Sequence, residues 1–406
     1  MSLELSRNAR EFWTQNKFLY IPLEPYPERY TIQLSAPKGG WIERQLIKKG
    51  ICYVRIDGEK LGKDIKTGEV LDACGRPYWA LSQMKTLMWM IREGQIDDNT
   101  VIYFDDFWHP GFSALPYACD QEGIRPKIYS MLHAQSFDPH DFTRKMFVWI
   151  RPFELGTLEV MSGVFVTSTS LKKLIVDQTI GRKHIGDKIH ISGLPYCSEE
   201  VRESFPINIP QRKRQVIFSS RWDKEKRPDF FLNVVEETLR IDPSVKFVIT
   251  TSAKVLRSNR PSLLILLEEY LHRFPHNLEL RQNQSKQDYY RNLLESKVQF
   301  NCADQDFVSW TLLEATTCGC HPVYPYYLSF PETLNERLDC LYAKGTVQSA
   351  RNVILSALDV EEEEDFSWVY KRFDDSFTRY LEVMATDEPH ADIYYNLKYG
   401  NWRNQK

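Results

Sequence analysis

The sequence predicts an α/β chain built as two Rossmann-like domains facing each other across a cleft, and three observations carry that expectation. The 406 residues exceed what one hydrophobic core ordinarily supports. Short apolar runs alternate with helical patterns, the order that a parallel sheet with crossover helices produces. A polar stretch punctuated by Pro195, Pro206 and Pro210 and closed by Arg212-Lys213-Arg214 reads as an interdomain linker.

In chain order, residues 18–23 read as a buried strand, followed by a loop ending in Ala36-Pro37-Lys38-Gly39-Gly40 and by a helix over 41–49. Further strands are expected at 52–56, 101–104, 127–132, 164–167 and 188–191, completing a first domain of residues 1–200. The second domain, 211–380, alternates more regularly. Its strands are expected at 216–219, 246–250, 278–281 and 298–301, and its helices at 229–240, 261–272, 286–296 and 309–317. Helical patterning resumes over 366–385, and residues 381–406, with Tyr394, Tyr395 and Trp402, form a tail expected to pack back on the first domain. The acidic run Glu361 to Asp365 reads as a solvated face.

A chain that is 42% hydrophobic and 26% charged has the profile of a globular enzyme, which excludes a disordered or fibrous protein. Its net charge of −3 excludes a broadly basic nucleic-acid coat and leaves room only for a local basic groove. Eight cysteines without a CxxC pair fit a reducing compartment, and no early apolar stretch marks a signal peptide, so a cytoplasmic protein is expected. No run reaches transmembrane length, and no exposed basic amphipathic helix stands out. We therefore expect no membrane partner, and a monomer.

Ligands of such sheets bind beyond the strand C-termini, where helix N-termini suit phosphates. The loop Ser219 to Pro228 follows the second domain's first strand and carries Arg221 and Lys226, which could grip a diphosphate or form an ordinary solvated turn. Further on, Asp306-Phe307-Val308-Ser309-Trp310-Thr311-Leu312-Leu313-Glu314 sets an acidic residue in a loop and a second one eight positions later in the next helix. Gly319 ends that helix before a new strand, within the run Cys318-Gly319-Cys320-His321-Pro322-Val323.

These residues resemble the retaining glycosyltransferases of the GT-B fold, family-4 type, whose hallmark is Glu-x7-Glu before a Gly-x-Pro-Val turn. The resemblance spans most of residues 18–380 and includes Phe330-Pro331-Glu332. It implies that Arg221 and Lys226 bind the donor diphosphate and that Gly39 and Gly40 lie where the first loop approaches the donor. It further implies that Glu314 holds the ribose and Asp306 the sugar hydroxyls, with the N–H groups of Phe307, Val308 and Ser309 on the sugar or phosphate. Asp306 is one methylene shorter than the family's usual Glu, and the usual glycines after it are replaced. The implied co-substrate is a nucleotide-sugar, UDP-linked by the family's commonest usage, with no cofactor and no metal required. Asp304-x-Asp306 is not read as a metal motif, because it precedes the Glu314 helix in a second α/β domain.

In the first domain, His133 stands where the family often contacts the transferred sugar, or is a structural histidine. Asp105, Asp106 and His109 either bind or deprotonate an acceptor hydroxyl or cap their loop. Trp41 and Trp108 read as packing residues, Cys318 and Cys320 as buried small residues, and His321 as a helix-end cap. The segments 21–31, 35–41 and 105–111 look like glycosyltransferases of tailed bacteriophages, some of which decorate hydroxymethylated pyrimidines in DNA. That likeness implies a double-stranded DNA acceptor in a host cytoplasm, with Arg212-Lys213-Arg214 and Lys172-Lys173 as phosphate contacts or merely solvated charge. A glycan, lipid or small-molecule acceptor, and a non-catalytic nucleotide-sugar-binding relative, are the alternatives.

Overall fold

The computed structural model describes residues 3–26, 30–62, 74–179, 181–361 and 364–387. The chain forms two six-stranded sheets in which every pairing is parallel. The first contains β1 (Lys17–Ile21), β2 (Tyr53–Arg55), β3 (Thr100–Phe104), β4 (Lys127–Met131), β5 (Gly163–Val166) and β6 (Ile189–Ile191), in the order β2-β1-β3-β4-β5-β6. The second contains β7 (Lys213–Phe218), β8 (Lys246–Thr250), β9 (Leu278–Arg281), β10 (Ser296–Phe300), β11 (His321–Pro325) and β12 (Leu341–Tyr342), in the order β12-β11-β10-β7-β8-β9.

Helices cover both faces of the first sheet, which is why its strands read as near-continuous apolar runs. Phe18, Tyr20, Val101 and Tyr103 point into one core and Leu19, Ile21, Ile102 and Phe104 into the other, as a two-residue side-chain period requires. In the second sheet Val216 and Phe218 enter a core of that domain alone. Ile217 points the opposite way, into the core that also holds Trp41, Tyr196, Leu312 and Leu313. One hydrophobic cluster therefore runs through both domains.

Several expectations are corrected. Arg212-Lys213-Arg214 is neither linker nor free charge. Lys213 opens β7 three residues ahead of the expected strand and pairs with Glu295 at 2.9 Å. Arg214 pairs with Asp242 and Asp359, each at 2.7 Å, and Arg212 donates to the carbonyls of Ser296 and Cys318. Lys172 likewise donates to the Ile189 carbonyl at 2.8 Å. His321 does not cap a helix; it is the first residue of β11. The pattern over 366–385 is two helices, Ser367–Asp374 and Ser376–Thr386, separated at Asp375. The second lies on the first domain, with Tyr380 stacked 3.9 Å from Phe165 and the Trp13 indole donating to the Leu381 carbonyl. Tyr394, Tyr395 and Trp402 lie outside the described residues.

Candidate functional site

The strand C-termini of both sheets gather the residues singled out above. After β7 the chain runs through Arg221 and Lys226 to helix Pro228–Ile241, which starts at a left-handed Arg227 with Pro228 at its first position. After β10 a second loop runs through Asp304, Gln305 and Asp306 to helix Trp310–Thr317. The two loops are joined directly: the Asp304 N–H donates to the Glu225 carbonyl at 2.8 Å, and the Lys226 Nζ donates to the Gln305 carbonyl at 2.6 Å. The same ammonium lies 3.7 Å from the Asp306 carboxylate. Lys226 and Asp306 thus meet, as partners of one another.

Arg221 is turned differently. Its guanidinium spans Asp223 at 3.0 Å and Glu225 at 2.6 Å on its own loop, with the side chain half exposed. A doubly paired surface arginine of this kind is weakly held and can change partners at small cost. Glu314 is nearly inaccessible, and its Oε1 accepts from both the Lys286 ammonium and, at 3.1 Å, the Tyr290 hydroxyl. Among the described residues, the backbone N–H groups of Phe307, Val308 and Ser309 donate to no acceptor, although their side chains are buried. Ser309 is the N-cap of helix Trp310–Thr317, so these amides lie on the loop that enters a helix N-terminus, a position that suits an anion.

The first domain faces this loop with the ends of β1, β3 and β4. Asp105 is enclosed: Tyr20 and Ser35 hydroxyls donate to it at 2.6 Å each and the Leu23 N–H at 3.2 Å. Burial nevertheless raises its carboxyl to about 6. Asp106 accepts from Gln135 and from the Trp108 N–H, both at 2.9 Å, and meets Arg76 at 3.3 Å. His109 lies edge-on to Phe104, 5.1 Å between rings, and neither ring nitrogen has a partner among the described residues. Burial, aided by the Arg76 charge, lowers it to about 3, so it is neutral. His133 is also lowered by burial; its Nε2 has no partner among the described residues and its ring stands 6.1 Å from Tyr30.

Gly40 precedes helix Trp41–Lys48, and a Cβ there would meet the Leu34 carbonyl at 2.6 Å and the Ala36 nitrogen at 2.8 Å. A Cβ on Gly39 would meet nothing within 4 Å. Only Gly40 is glycine for want of room; Gly39 leaves its side open.

Sequence reasoning missed the groups that hold these residues. Lys286 and Tyr290 were legible in part, because Ser285-x-x-Asp288 is a capping box that fixes the start of helix Lys286–Glu295. Gln135 ends the candidate segment 131–135 after a predicted strand, whereas Arg76 carries no such signal. The aromatic bridge between domains was also missed: Tyr30 stacks on Trp310 at 5.5 Å, and Trp310 lies 5.1 Å from Trp41 and 6.1 Å from Tyr196. Among the described residues, His321, Asp339 and Cys340 form a cluster of possible metal ligands. It lies at the N-terminal end of β11, opposite the Asp306 loop. Asp339 there is ion-paired to Arg337, and the His321 Nε2 lies 2.9 Å from the Asp339 carbonyl.

Two facing parallel sheets with ligand-type loops at their shared edge match known structures along nearly their whole length. A trehalose-phosphate synthase from Burkholderia vietnamiensis superposes with a TM-score of 0.61 over 91% of this chain and 97% of that one, at 12% identity. Anabaena HepE, solved with UDP-glucose, gives 0.55 over 94% and 97%, also at 12% identity. The chain has the GT-B fold. S. aureus TarM, solved with UDP, matches at 0.50 and 14% identity over 79% of this chain and 59% of its own. In sequence, the tRNA-queuosine alpha-mannosyltransferase of Drosophila melanogaster is 21% identical over 173 residues, 42% of this chain. The match spans only 41% of that relative's length. No protein-family model matches the chain. No helix among the described residues is long and apolar enough to cross a membrane.

Proposed function

We propose that the chain is a retaining glycosyltransferase that moves a sugar from a UDP-sugar to a hydroxyl on a nucleic-acid base, with the hydroxymethyl group of a modified pyrimidine in DNA as the acceptor. The observation that carries the donor half is the junction of the two loops, where Lys226 meets Gln305 and Asp306 and the amides of Phe307, Val308 and Ser309, next along the chain, are left unpaired among the described residues. UDP-bound HepE and TarM, which share the fold, support a UDP-linked donor. The relative that acts on tRNA supports a nucleic-acid acceptor.

On this reading Arg221 leaves Asp223 and Glu225 for the diphosphate, and Lys226 exchanges the Gln305 carbonyl for a phosphate oxygen. Both stabilise the negative charge that develops as the bond from the anomeric carbon to the phosphate breaks. The acceptor oxygen bonds to the same face of that carbon, and its proton passes to the departing phosphate. Glu314, with Oε1 occupied by Lys286 and Tyr290, keeps Oε2 for the ribose hydroxyls. Asp306 and His133 contact the sugar, and Gly39 leaves open space where the first loop approaches the donor. Asp106 is the acceptor-side carboxylate that we favour, whereas Asp105 and His109 hold their loop from within.

The test is incubation with a panel of UDP-sugars and duplex DNA containing hydroxymethylcytosine or hydroxymethyluracil, followed by nucleoside mass analysis. A hexose or pentose mass increment is expected. Arg221→Ala and Lys226→Ala should each lower turnover by about a hundredfold to a thousandfold with the fold intact. A fully active Arg221→Ala protein would sink the donor assignment, and UDP-sugar consumption without any DNA mass shift would move the acceptor to a glycan, lipid or small molecule.

A further inference from the structure

Phe147, Val148 and Trp149 are three consecutive large apolar residues that face solvent, at 39%, 89% and 55% exposure. They form the first turn of helix Phe147–Val160, whose inner residues Ile150, Glu154, Thr157 and Leu158 are buried. An apolar tip of this kind is costly in water and calls for an occupant. The two residues before it but one are cations: Arg144 and Lys145, neither within ion-pair distance of a carboxylate among the described residues. Arg144 donates to the Ser136 carbonyl at 3.2 Å and lies over the Phe147 ring at 4.2 Å.

The tip is tied to the segment after β4 through Arg144, which lies over Phe147 and donates to the Ser136 carbonyl. The segment leading to it begins with Gln135, which holds Asp106, and includes Asp138, whose buried carboxylate accepts from the His140 N–H at 2.9 Å and feels the Lys226 charge. The segment 135–146 therefore connects the tip to the loops described above. A bilayer would call for cations along the polar face of a long apolar stripe. This helix carries one cation, Arg151, and it is buried, with its guanidinium against Phe137 at 3.8 Å. The cations instead flank a compact apolar point, the combination by which proteins pry apart base steps while holding the backbone phosphates.

We propose that Val148 and Trp149 form a wedge that fills the stack vacated when the acceptor base turns out of duplex DNA, with Arg144 and Lys145 on the flanking phosphates. This rests on the DNA-acceptor reading above. An enzyme that works on a base inside a duplex must extrude it, and an inserted apolar side chain lowers the cost of the gap.

The test uses the full chain and a duplex with 2-aminopurine beside a hydroxymethylated pyrimidine. Wild type is expected to raise 2-aminopurine fluorescence on binding. The double variant Val148→Ser, Trp149→Ser should bind the duplex about tenfold more weakly, as expected for one lost aromatic–base stack, and lose the fluorescence rise. Its UDP-induced thermal shift and its transfer to the free hydroxymethyl nucleoside should match wild type. If wild type modifies the duplex and the variant binds and unstacks it equally well, the wedge is wrong and the acceptor reading stands. If wild type modifies neither nucleoside nor duplex, the acceptor reading itself fails. Sedimentation of wild type, but not the variant, with phosphatidylserine vesicles, in the absence of duplex binding, would overturn the wedge in favour of a membrane surface.

Discussion

His109 is an imidazole enclosed without a hydrogen-bond partner among the described residues, and its titration has a definite sign. With a pKa of about 3 in the folded chain against 6.5 ordinarily, it takes up its proton more readily when unfolded. Its contribution to stability is therefore full above 6.5 and is lost as pH falls from there towards 3. Asp105 acts oppositely, because a carboxyl raised to about 6 gains its proton first in the folded chain and favours folding as pH falls through that value. Comparison of variants isolates the histidine. His109→Phe keeps an aromatic ring against Phe104 and removes the proton, so at about pH 5 it should be more stable than wild type by about 2 kcal/mol relative to the difference at neutral pH. Denaturant melts at the two pH values check this, and an unchanged difference would mean that His109 finds a partner in solution.

At the scale of elements, the turn from Ala36 to Gly40 separates two glycines that look alike in sequence. Gly40→Ala drives a Cβ into backbone atoms that cannot yield and should cost about 1–3 kcal/mol, read as a lower melting midpoint. Gly39→Ala should leave stability within about 0.5 kcal/mol and raise the donor KM instead. Equal losses of stability at both positions would refute the distinction. The two glycines also show where sequence reading stops. Gly-Gly before an apolar helix was legible as a turn, but which glycine lacks room depends on Leu34, set by the helix Tyr30–Ser35 that no periodicity revealed. The second domain was more legible, because its strands and helices alternate at short, regular spacing. In the first domain helix Gly75–Arg92 escaped, since Trp79, Met84 and Leu87 lie inside while Tyr78, Leu81 and Trp89 lie outside, which blurs the helical stripe. Arg221 stood out in the sequence for its place with Lys226 on the loop after the second domain's first strand, whereas its pairing with Asp223 and Glu225 follows from loop conformation.

Across the whole molecule, the two domains are joined by more than the connecting chain. Trp310 follows the unpaired amides directly and is packed by Tyr30 and Trp41 of the first domain, while Glu332 of the second caps helix Thr169–Asp177 of the first, accepting from the Thr169 N–H at 3.0 Å. Gln33 reaches Tyr290 at 3.2 Å, and Tyr290 in turn holds Glu314, so domain closure and the carboxylate assigned to the ribose share one chain of contacts. Aromatic pairs of this kind contribute about 0.5–1.5 kcal/mol each beyond the area they bury, which is enough to shift a closure equilibrium without unfolding either domain. Trp310→Ala removes its pairs with Tyr30, Trp41 and Tyr196. The donor-free variant should open, with a larger radius of gyration by small-angle scattering than wild type, and saturating UDP should draw it back, because the nucleotide supplies contacts only the closed form completes. Its affinity for UDP should fall by the fraction of molecules held open. Identical scattering curves for variant and wild type without nucleotide would show that the remaining contacts between the domains, the shared apolar cluster and the polar contacts through Glu332 and Gln33 among them, keep the cleft closed without Trp310.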